Sequence, residues 1–337
     1  MEKKILITGS AGFIGFSLAK SLLDKGYYIH GYDCMSDYYD VTLKHARHKI
    51  LQNYKNFSFT EEMLENQGVL DKTISSFKPE IIVHLAAQAG VRYSIEQPRT
   101  YLSSNIEGTF NIIEAAHKVK VNHLIIASSS SVYGANTKIP YREIDKTQTQ
   151  LSVYAATKKS TESIAHSYSN IWRLPVTMLR FFTVYGPWGR PDMALFKFTK
   201  GIIKGEPIDI YNNGEMYRDF TYIDDIVKGI IALTNVPPKE ASNINKIDSL
   251  SSVAPFRIVN IGNSNQVKLL DFIEAIENYL DKKAIRNYMP MQQGDVSATW
   301  ANTDLLKELT GYAPKTDIKE GVKKFIDWYL SYYKIKK

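Results

Sequence analysis

Tyr154 and Lys158, four residues apart, are the pair in this sequence whose types and spacing most directly allow chemistry. If the stretch between them is helical, both side chains lie on one face, one turn apart. A free phenol has a pKa of about 10 and is a poor base at neutral pH. A cation one turn away favours the phenolate, so the tyrosine can take a proton from an alcohol. Alone, the pair also fits an amphipathic surface helix, so its interpretation depends on the rest of the chain.

Length and composition are typical of a globular protein with one large domain or two smaller ones. The chain has 337 residues, of which 44% are hydrophobic and 23% are charged. Cys34 is the only cysteine, which excludes a disulfide framework and a thiolate metal site. The seven histidines are scattered and form no HExxH pair, so we expect no metal site.

Charge and hydropathy also limit the partners and the compartment. The net charge of +7 comes from dispersed basic residues, so nucleic-acid binding is only a weak alternative. No apolar segment approaches the roughly 18 residues that a membrane span needs. A strand-like apolar run begins at Ile5 and leaves no room for a signal peptide ahead of it. We therefore expect a cytoplasmic protein without a membrane partner.

Three glycines at a three-residue spacing, Gly9, Gly12 and Gly15, stand between an apolar run at 4–8 and a helical stretch at 16–25. A strand, a glycine-rich turn and a helix in this order form a phosphate cradle. The first glycine allows the tight turn, the second lets a pyrophosphate approach, and the third lets the helix pack closely on the sheet. The spacing is GxxGxxG rather than the commoner GxGxxG, but its context predicts a dinucleotide site.

Asp33 ends the second apolar run, at 28–32. An acid at this place accepts hydrogen bonds from the adenosine ribose hydroxyls and repels a 2′-phosphate. Its distance from the glycines fits a βαβ unit, which favours a cofactor role over that of an ordinary loop aspartate. The pattern therefore predicts NAD rather than NADP as the cofactor.

Apolar strands and helical stretches continue to alternate along the chain. The predicted strands are 4–8, 28–32, 80–86, 122–128 and 176–182, and the predicted helices are 16–25, 99–119, 152–171, 194–204, 223–233, 268–281 and 318–333. This alternation predicts an α/β fold with a doubly wound, Rossmann-type parallel sheet. We expect an NAD-binding domain at 1–183, to which 220–235 returns, and a smaller, interleaved substrate domain at 184–337. The Ser-, Asn- and Pro-rich stretch 237–254 predicts a mobile surface loop.

Several motifs agree in order and spacing with one enzyme family. The first set comprises Gly9–Gly15, His84–Gln88, Ser128–Gly134 and Tyr154–Lys158. These resemble the extended short-chain dehydrogenase/reductases. A second set comprises Arg180–Met193, Arg218–Asp225 and Gln292–Val296. It closely resembles the nucleotide-sugar 4-epimerases and, among them, the UDP-glucuronate 4-epimerases. The resemblance covers nearly the whole chain and makes chance an unsatisfactory explanation of the Tyr154–Lys158 pair.

The resemblance implies a catalytic set of Tyr154, Lys158 and Ser129. Tyr154 would remove the proton of the sugar 4-hydroxyl, and Lys158 would lower its pKa and hold the nicotinamide ribose. Ser129 would hydrogen-bond the same hydroxyl and help to relay the proton. The family reaction moves the C4 hydride to NAD and returns it to the other face of a 4-keto sugar. The cofactor is recycled in each turnover, so tight retention is expected.

The resemblance also implies binding residues for the cofactor and the substrate. The expected NAD-binding residues are Gly9, Gly12, Phe13, Ile14, Gly15, Asp33, Leu85, Ala86, Ala87, Gln88, Asn105, Tyr154, Lys158 and Phe181. The expected substrate-binding residues are Ser129, Ser130, Ser131, Thr183, Arg190, Arg218 and Asp295. Among these, Arg190 and Arg218 would hold the UDP diphosphate, because guanidinium groups pair bidentately with phosphates. Asp295 would accept hydrogen bonds from ribose hydroxyls.

The residues after Ser129 favour a uronic acid substrate. Related dehydratases carry an Asp-Glu pair where this chain has Ser130 and Ser131, and UDP-glucuronate decarboxylases typically carry a glutamate at the second position. A 4-keto uronic acid loses carbon dioxide readily, so an epimerase must hold the carboxylate without promoting its loss. The hydroxyls of these serines and Thr183 are neutral donors of the required kind. We expect interconversion of UDP-glucuronate and UDP-galacturonate.

Two other functions remain open at the level of sequence. Thr299 is small where some epimerases exclude a 2-acetamido group, so UDP-N-acetylglucosamine, UDP-glucose or their uronates are alternative substrates. A catalytically silent, NAD-sensing binding protein is the alternative of another class. Helices 99–119 and 152–171 match those that pair in dimers of the family, so we expect a homodimer by analogy.

Overall fold

The computed structural model describes residues 3–240 and 244–336, and its centre is a seven-stranded, fully parallel sheet. The strands in chain order are β1 (Lys4–Thr8), β2 (Tyr28–Asp33), β3 (Phe57–Glu61), β4 (Ile81–His84), β5 (His123–Ser129), β6 (Val176–Phe181), β7 (Thr183–Tyr185), β8 (Pro207–Ile210), β9 (Tyr217–Arg218), β10 (Phe220–Tyr222), β11 (Phe256–Ile261), β12 (Val267–Lys268), β13 (Ile285–Tyr288) and β14 (Ala298–Thr299). The sheet order is β11-β6-β5-β4-β1-β2-β3, which confirms the predicted Rossmann-type architecture.

Helices cover both faces of this sheet, as the alternating pattern requires. They are α1 (Phe13–Leu23), α2 (Val41–Leu51), α3 (Gln67–Phe77), α4 (Tyr93–Glu96), α5 (Pro98–Tyr101), α6 (Gly108–Val119), α7 (Val153–Trp172), α8 (Ala194–Lys204), α9 (Ile223–Leu233), α10 (Leu269–Leu280), α11 (Asp304–Thr310) and α12 (Ile318–Tyr332). Along β1, Ile5 and Ile7 join the core that contains α1 and α9, whereas Leu6 joins the core that contains α3, α6 and α7. Burial on both faces explains why the central strands read as continuous apolar runs.

The predicted long helix at 99–119 is present but contains a change of helical type. It consists of α5, a π-helical turn at Leu102–Glu107, and α6. A π-helical turn widens the helix locally and is frequently found at functional sites. Asn105, one of the expected cofactor residues, lies in this turn.

The seventh strand of the central sheet comes from the second half of the chain. β11 pairs with β6 in parallel register, from Phe256 opposite Val176 to Ile261 opposite Phe181. α9, within the segment 220–235, packs against α1. The chain therefore also returns to the central sheet beyond 220–235. The division at residue 183 itself stays a prediction.

The remaining elements form the smaller half of the molecule. Short strands pair in three small sheets, β10 with β7, β8 with β13, and β9 with β12 and β14. The predicted loop at 237–254 contains no helix or strand in its described parts, and residues 241–243 of that prediction lie outside the described residues. None of the helices in the described ranges is long and apolar enough to cross a membrane.

Candidate active site

The glycine turn between β1 and α1 has no room for side chains. Gly9 has φ of +72°, and a Cβ there would lie 2.8 Å from the backbone nitrogen of Ala86. A Cβ on Gly15 would lie only 2.0 Å from the carbonyl oxygen of Gly9. Gly12 precedes α1 without a side-chain cap, so the first N–H groups of the helix, including those of Phe13 and Ile14, have no capping side chain. A helix N-terminus of this kind accepts a phosphate.

The carboxylate of Asp33 is fixed at the end of β2, beside this turn. One oxygen accepts a hydrogen bond from the Ala11 backbone N–H at 3.0 Å, and the other accepts one from Met35 at 2.9 Å. The side chain is buried, and its register opposite Glu61 places it at the carboxyl edge of the sheet. This position fits the predicted contact with ribose hydroxyls.

A buried histidine supports the segment that follows β4. His84 Nδ1 lies 2.7 Å from Thr8 Oγ1, which accepts hydrogen bonds from the backbone of Leu85 and Ala86. Because that hydroxyl accepts twice, its own proton goes to Nδ1, and His84 Nε2 donates to Thr109 at 2.9 Å. Burial lowers the pKa of His84 to about 3, so the ring is neutral.

Asn105 ties the same segment to α7 instead of leaving its polar atoms open to a ligand. Its oxygen accepts from the Gln88 backbone N–H at 2.8 Å, and its amide donates to the Gln88 carbonyl and to Thr157. Both amide hydrogens are therefore engaged within the protein. The arrangement orients the Leu85–Gln88 segment, with Ala87 in its middle, against the helix that carries Tyr154.

The expected serine cluster forms the end of β5 and the turn after it. Ser129 has extended backbone dihedrals and caps a 3₁₀ turn at Ser130–Tyr133, accepting a hydrogen bond from the Ser131 backbone N–H at 3.1 Å. Its own hydroxyl donates to Ser131 Oγ, also at 3.1 Å. Phe181, at the end of β6, lies opposite Ser129 in the sheet. The short turn gathers three hydroxyls at the carboxyl edge of the sheet.

Tyr154 and Lys158 both lie on α7, one turn apart as predicted. Burial raises the pKa of the Tyr154 phenol, while a hydrogen bond with Ser129 and the charge of Arg190 lower it. The ammonium of Lys158 is buried and donates to the Ala127 carbonyl at 2.9 Å. Burial lowers the pKa of Lys158 to about 8. In the protein alone, Arg190 is therefore the cation that opposes the effect of burial on Tyr154.

A buried ion pair that the sequence analysis missed holds α7 against the sheet. Glu162 accepts two hydrogen bonds at 2.9 Å from the guanidinium of Arg180 on β6, and both side chains are almost fully buried. The same carboxylate accepts a hydrogen bond at 2.7 Å from Ser128, the neighbour of Ser129. Glu162 follows Lys158 by four residues and lies on the same face of α7. This spacing is the sequence signal that could have linked Glu162 to the Tyr154–Lys158 site. Together with Ser128, the Glu162–Arg180 pair connects β5, β6 and α7 next to the catalytic candidates Ser129 and Lys158.

Five of the expected substrate residues line one cavity of about 160 Å³. Ser130, Ser131, Thr183 and Arg218 surround it together with Asp295, and the N-terminal turn of α7 forms part of its wall. Thr299 also lines it, which places the residue that bears on the 2-substituent in the same cavity. The cavity thus joins residues from both halves of the chain.

Arg92 contacts Asp295, one of the residues that line this cavity. Its guanidinium lies 3.4 Å from the carboxylate of Asp295 and 4.5 Å from the centre of the Tyr211 ring. The Arg92 side chain is partly exposed, so the ion pair is screened by solvent and contributes little to stability. A ligand that binds at Asp295 therefore displaces only a weak contact.

Arg190 lies apart from that cavity and is paired with an acid. It forms a bidentate ion pair with Asp192, with one hydrogen bond of 3.0 Å and one of 2.5 Å, and its guanidinium lies 5.9 Å from the Tyr38 ring centre. It lines a second, mainly apolar cavity together with Phe13 and Thr183. Arg190 and Phe13, the first residue of α1, therefore line the same cavity.

The residues of this site fit a dinucleotide. The turn is a cradle that any Cβ on Gly9 or Gly15 would fill, the uncapped start of α1 favours an anion, and Asp33 stands where a ribose hydroxyl donates. These features agree with the predicted NAD-binding set. The individual contacts of its members with the cofactor stay predictions.

Comparison with known proteins agrees with this geometry. A family profile described as GDP-mannose 4,6 dehydratase matches residues 6–325. The chain belongs to this family. The chain is 51% identical over 334 residues to a probable UDP-glucuronate 4-epimerase of Rhizobium meliloti, with 98% of each chain covered. It is 55% identical over 334 residues to protein CapI of Staphylococcus aureus, covering 98% of this chain and 99% of that protein.

A solved structure of the same family matches the whole fold. The UDP-glucuronic acid 4-epimerase of Bacillus cereus, determined with UDP-glucuronic acid and NAD, superimposes with a TM-score of 0.87 at 32% identity. The match covers 98% of this chain and 100% of that one. Its extent confirms the predicted family resemblance and the predicted fold along nearly the entire chain.

Proposed function

We propose that this protein is an NAD-dependent UDP-glucuronate 4-epimerase, which inverts C4 of the sugar through a 4-keto intermediate to give UDP-galacturonate. The observation that carries the proposal is the cavity in which Ser130, Ser131 and Thr183 stand beside the helix of Tyr154 and Lys158. The Rhizobium meliloti and Bacillus cereus epimerases, which are named for this reaction, support the same activity and the same cofactor.

Tyr154 is proposed as the base for the sugar 4-hydroxyl. Burial raises its pKa, and the hydrogen bond with Ser129 and the charge of Arg190 act against this rise and favour the phenolate. The Lys158 ammonium donates one hydrogen bond to the Ala127 carbonyl. Its two other N–H groups can donate to the nicotinamide ribose in this proposal. When bound, NAD supplies the reversible hydride acceptor for C4. The protein holds and returns the proton and limits access of water.

The three hydroxyls determine the fate of the 4-keto uronic acid. Such an acid is a β-keto acid and decarboxylates when a neighbouring group assists the loss of carbon dioxide. The hydroxyls of Ser130, Ser131 and Thr183 can hydrogen-bond the carboxylate without protonating the ring. The related dehydratases are expected to carry an Asp-Glu pair at the two positions that follow Ser129. This chain has Ser130 and Ser131 there and therefore lacks that acid pair.

The nucleotide part of the substrate is assigned to Arg218, Asp295 and Arg190. Arg218 and Asp295 line the same cavity as the hydroxyls. Arg190 lines a cavity with Phe13 and exchanges its partner Asp192 for a phosphate in this proposal.

A substrate comparison tests the assignment. The purified protein is incubated without added cofactor with UDP-glucuronate, UDP-glucose or UDP-N-acetylglucosamine, and the products are identified by NMR. We expect UDP-galacturonate from the first substrate and turnover at least about tenfold slower with the others. Faster turnover of UDP-N-acetylglucosamine would overturn the uronate assignment and favour Thr299 as the deciding residue. A pentose product with carbon dioxide would overturn the role given to Ser131.

We also propose that the protein forms a homodimer through α6 and α7. The outer faces of these helices carry an aromatic cluster, in which Phe110, Tyr168 and Trp172 contact one another in sequence and Ile171 is 62% exposed. An exposed apolar face of this kind on two adjacent helices favours association. Sedimentation at micromolar concentration should give twice the mass of the chain. Ile171→Glu should give a monomer, whereas Ile144→Glu, at an exposed position outside this face, should leave the dimer intact.

A further inference from the structure

Arg47 on α2 is a fully buried arginine without an acidic partner. None of its side chain is exposed, and no carboxylate of the described residues forms an ion pair with it. A buried cation normally requires a counter-ion, because its desolvation costs several kcal/mol. Its Nε also has no hydrogen-bond acceptor in the protein. The position therefore carries a free-energy cost that packing alone does not explain.

The guanidinium of Arg47 connects two segments that belong to different binding sites. Nη1 donates to the Ala11 carbonyl in the glycine turn and to the Tyr39 hydroxyl, both at 2.9 Å. Nη2 donates to the Trp188 carbonyl at 2.6 Å and lies 3.5 Å from that of Gly189. Ala11 and Trp188 are far apart in the sequence, and Arg47 joins them through one planar group.

Both segments carry groups that are assigned to ligands in the proposed function. The N–H of Ala11 donates to Asp33, so Arg47 and Asp33 fix the peptides on both sides of that residue. Trp188 has φ of +63°, which is rare for a large side chain and persists only where contacts enforce it. Arg190 follows two residues later. The bond to the Trp188 carbonyl therefore helps to set where Arg190 stands.

We propose that Arg47 is a positioning residue that holds the glycine turn and the Trp188–Arg190 segment in one arrangement, so that NAD and the UDP-sugar each bind more tightly when the other is present. The proposal rests on the proposed function only for the assignment of the two ligands. The diphosphates of both ligands would add negative charge near this buried cation, which forms no ion pair with a carboxylate of the described residues. The free energy of ordering the two segments is then shared between the ligands.

Arg257 offers a matched control for a merely structural role. It is also buried, but it forms a bidentate ion pair with Asp248, with hydrogen bonds of 2.9 and 3.0 Å. It lies near the start of β11, whereas the site lies at the carboxyl edge of the sheet. Arg257→Lys should lower the melting temperature without changing the affinity for either ligand.

The test compares Arg47→Lys and Tyr39→Phe with the wild type and with Arg257→Lys. For each protein we measure the melting temperature, the NAD released on denaturation, and the dissociation constant of UDP by calorimetry with and without saturating NAD. In the wild type, NAD should tighten UDP binding. In Arg47→Lys, the NAD content and the UDP affinity should each fall by about tenfold, and the effect of NAD on UDP binding should disappear. Tyr39→Phe, which removes one acceptor, should show a smaller loss of both.

Two results would overturn the proposal. One is an Arg47→Lys protein, or a Tyr39→Phe protein if the first does not fold, that keeps its NAD content and its UDP affinity. The other is a wild type in which NAD leaves UDP binding unchanged. NAD content and UDP affinity do not depend on which sugar is turned over, so an inactive wild type that binds both ligands contradicts the proposed function and leaves this test intact.

Discussion

At Tyr154, burial and polar contacts act in opposite directions on the same proton. Burial raises the pKa of the phenol, whereas the hydrogen bond with Ser129 and the charge of Arg190 lower it. Arg190 is itself paired with Asp192, which reduces its effect. A phosphate that takes the place of Asp192 would change the balance at Tyr154 as well. The residue that binds the nucleotide is therefore coupled electrostatically to the residue proposed as the base.

Tyr154→Phe tests the base directly. We expect kcat to fall about 10²–10⁴-fold, because the proton acceptor is lost while the ring is kept. UDP affinity, measured by calorimetry, should stay within a few-fold of the wild type. Tyr168→Phe removes a hydroxyl from the same helix outside the site and should leave kcat unchanged. Retained activity in Tyr154→Phe would contradict the mechanism, and an inactive wild type would favour a silent NAD-binding protein.

The main elements of the site meet through contacts that fix their spacing. β1 and α1 are separated by a turn whose atoms approach as closely as glycine allows, and α7 is fixed to β5 and β6 by the pair of Glu162 and Arg180. The π-helical turn presents Asn105 to both the Gln88 backbone and Thr157. Elements connected in this way keep catalytic groups in place when loops move.

Gly15→Ala should abolish the cofactor site. The added methyl group would lie 2.0 Å from the Gly9 carbonyl oxygen, so the turn or the start of α1 must shift. The NAD content of the purified variant, measured after denaturation, should fall to a small fraction of the wild-type value. Gly68→Ala, in α3, meets no atom nearer than 3.9 Å and should keep full NAD content. Equal NAD content in both variants would argue against the cradle.

Glu162→Gln should weaken the attachment of α7 to the sheet. The change removes a buried charge and leaves Arg180 without its partner, which costs about 3–5 kcal/mol of unfolding free energy. Urea unfolding measures this loss. The matched control is Lys159→Met, which removes only the more exposed cation that also contacts Glu162 and should cost less than about 1 kcal/mol. Similar losses of unfolding free energy in the two variants would show that the buried ion pair contributes no more to stability than the more exposed one.

The whole molecule should lose stability on the acid side because it buries neutral histidines. Burial lowers the pKa of His123 to about 3, and one ring nitrogen lies 2.8 Å from the Thr177 hydroxyl. Below pH 6.5 the unfolded chain takes up a proton at this site that the folded protein does not. Stability is therefore present above pH 6.5 and is lost as the pH falls toward about 3.

His123→Asn should reduce this pH dependence. Between pH 7.5 and pH 5, one such histidine accounts for about 2 kcal/mol of lost stability, which the variant should no longer show. Urea unfolding at both pH values with saturating NAD measures the difference. His45→Asn, at an exposed position of α2, should keep the wild-type dependence. An unchanged dependence in His123→Asn would contradict a neutral, buried ring.

The sequence by itself determined the features that depend on neighbours along the chain. The bounds of β1, α8 and α9 agree with the prediction residue for residue, because local apolar periodicity defines these elements. The glycine turn and the one-turn spacing of Tyr154 and Lys158 are likewise local. The alternation of strands and helices predicted the fold. The family motifs added the activity, since a long pattern of residue types is specific even when no single contact is known.

The tertiary structure alone decided the features that join distant residues. It added β11 to the sheet, placed Glu162 on Arg180, and took up the polar atoms of Asn105 within the protein. It also placed Arg47 between two segments that no local pattern relates. The physical reason is that the burial and pairing of a polar side chain depend on which groups the fold brings to it. Sequence spacing along one helix or strand does not contain that information.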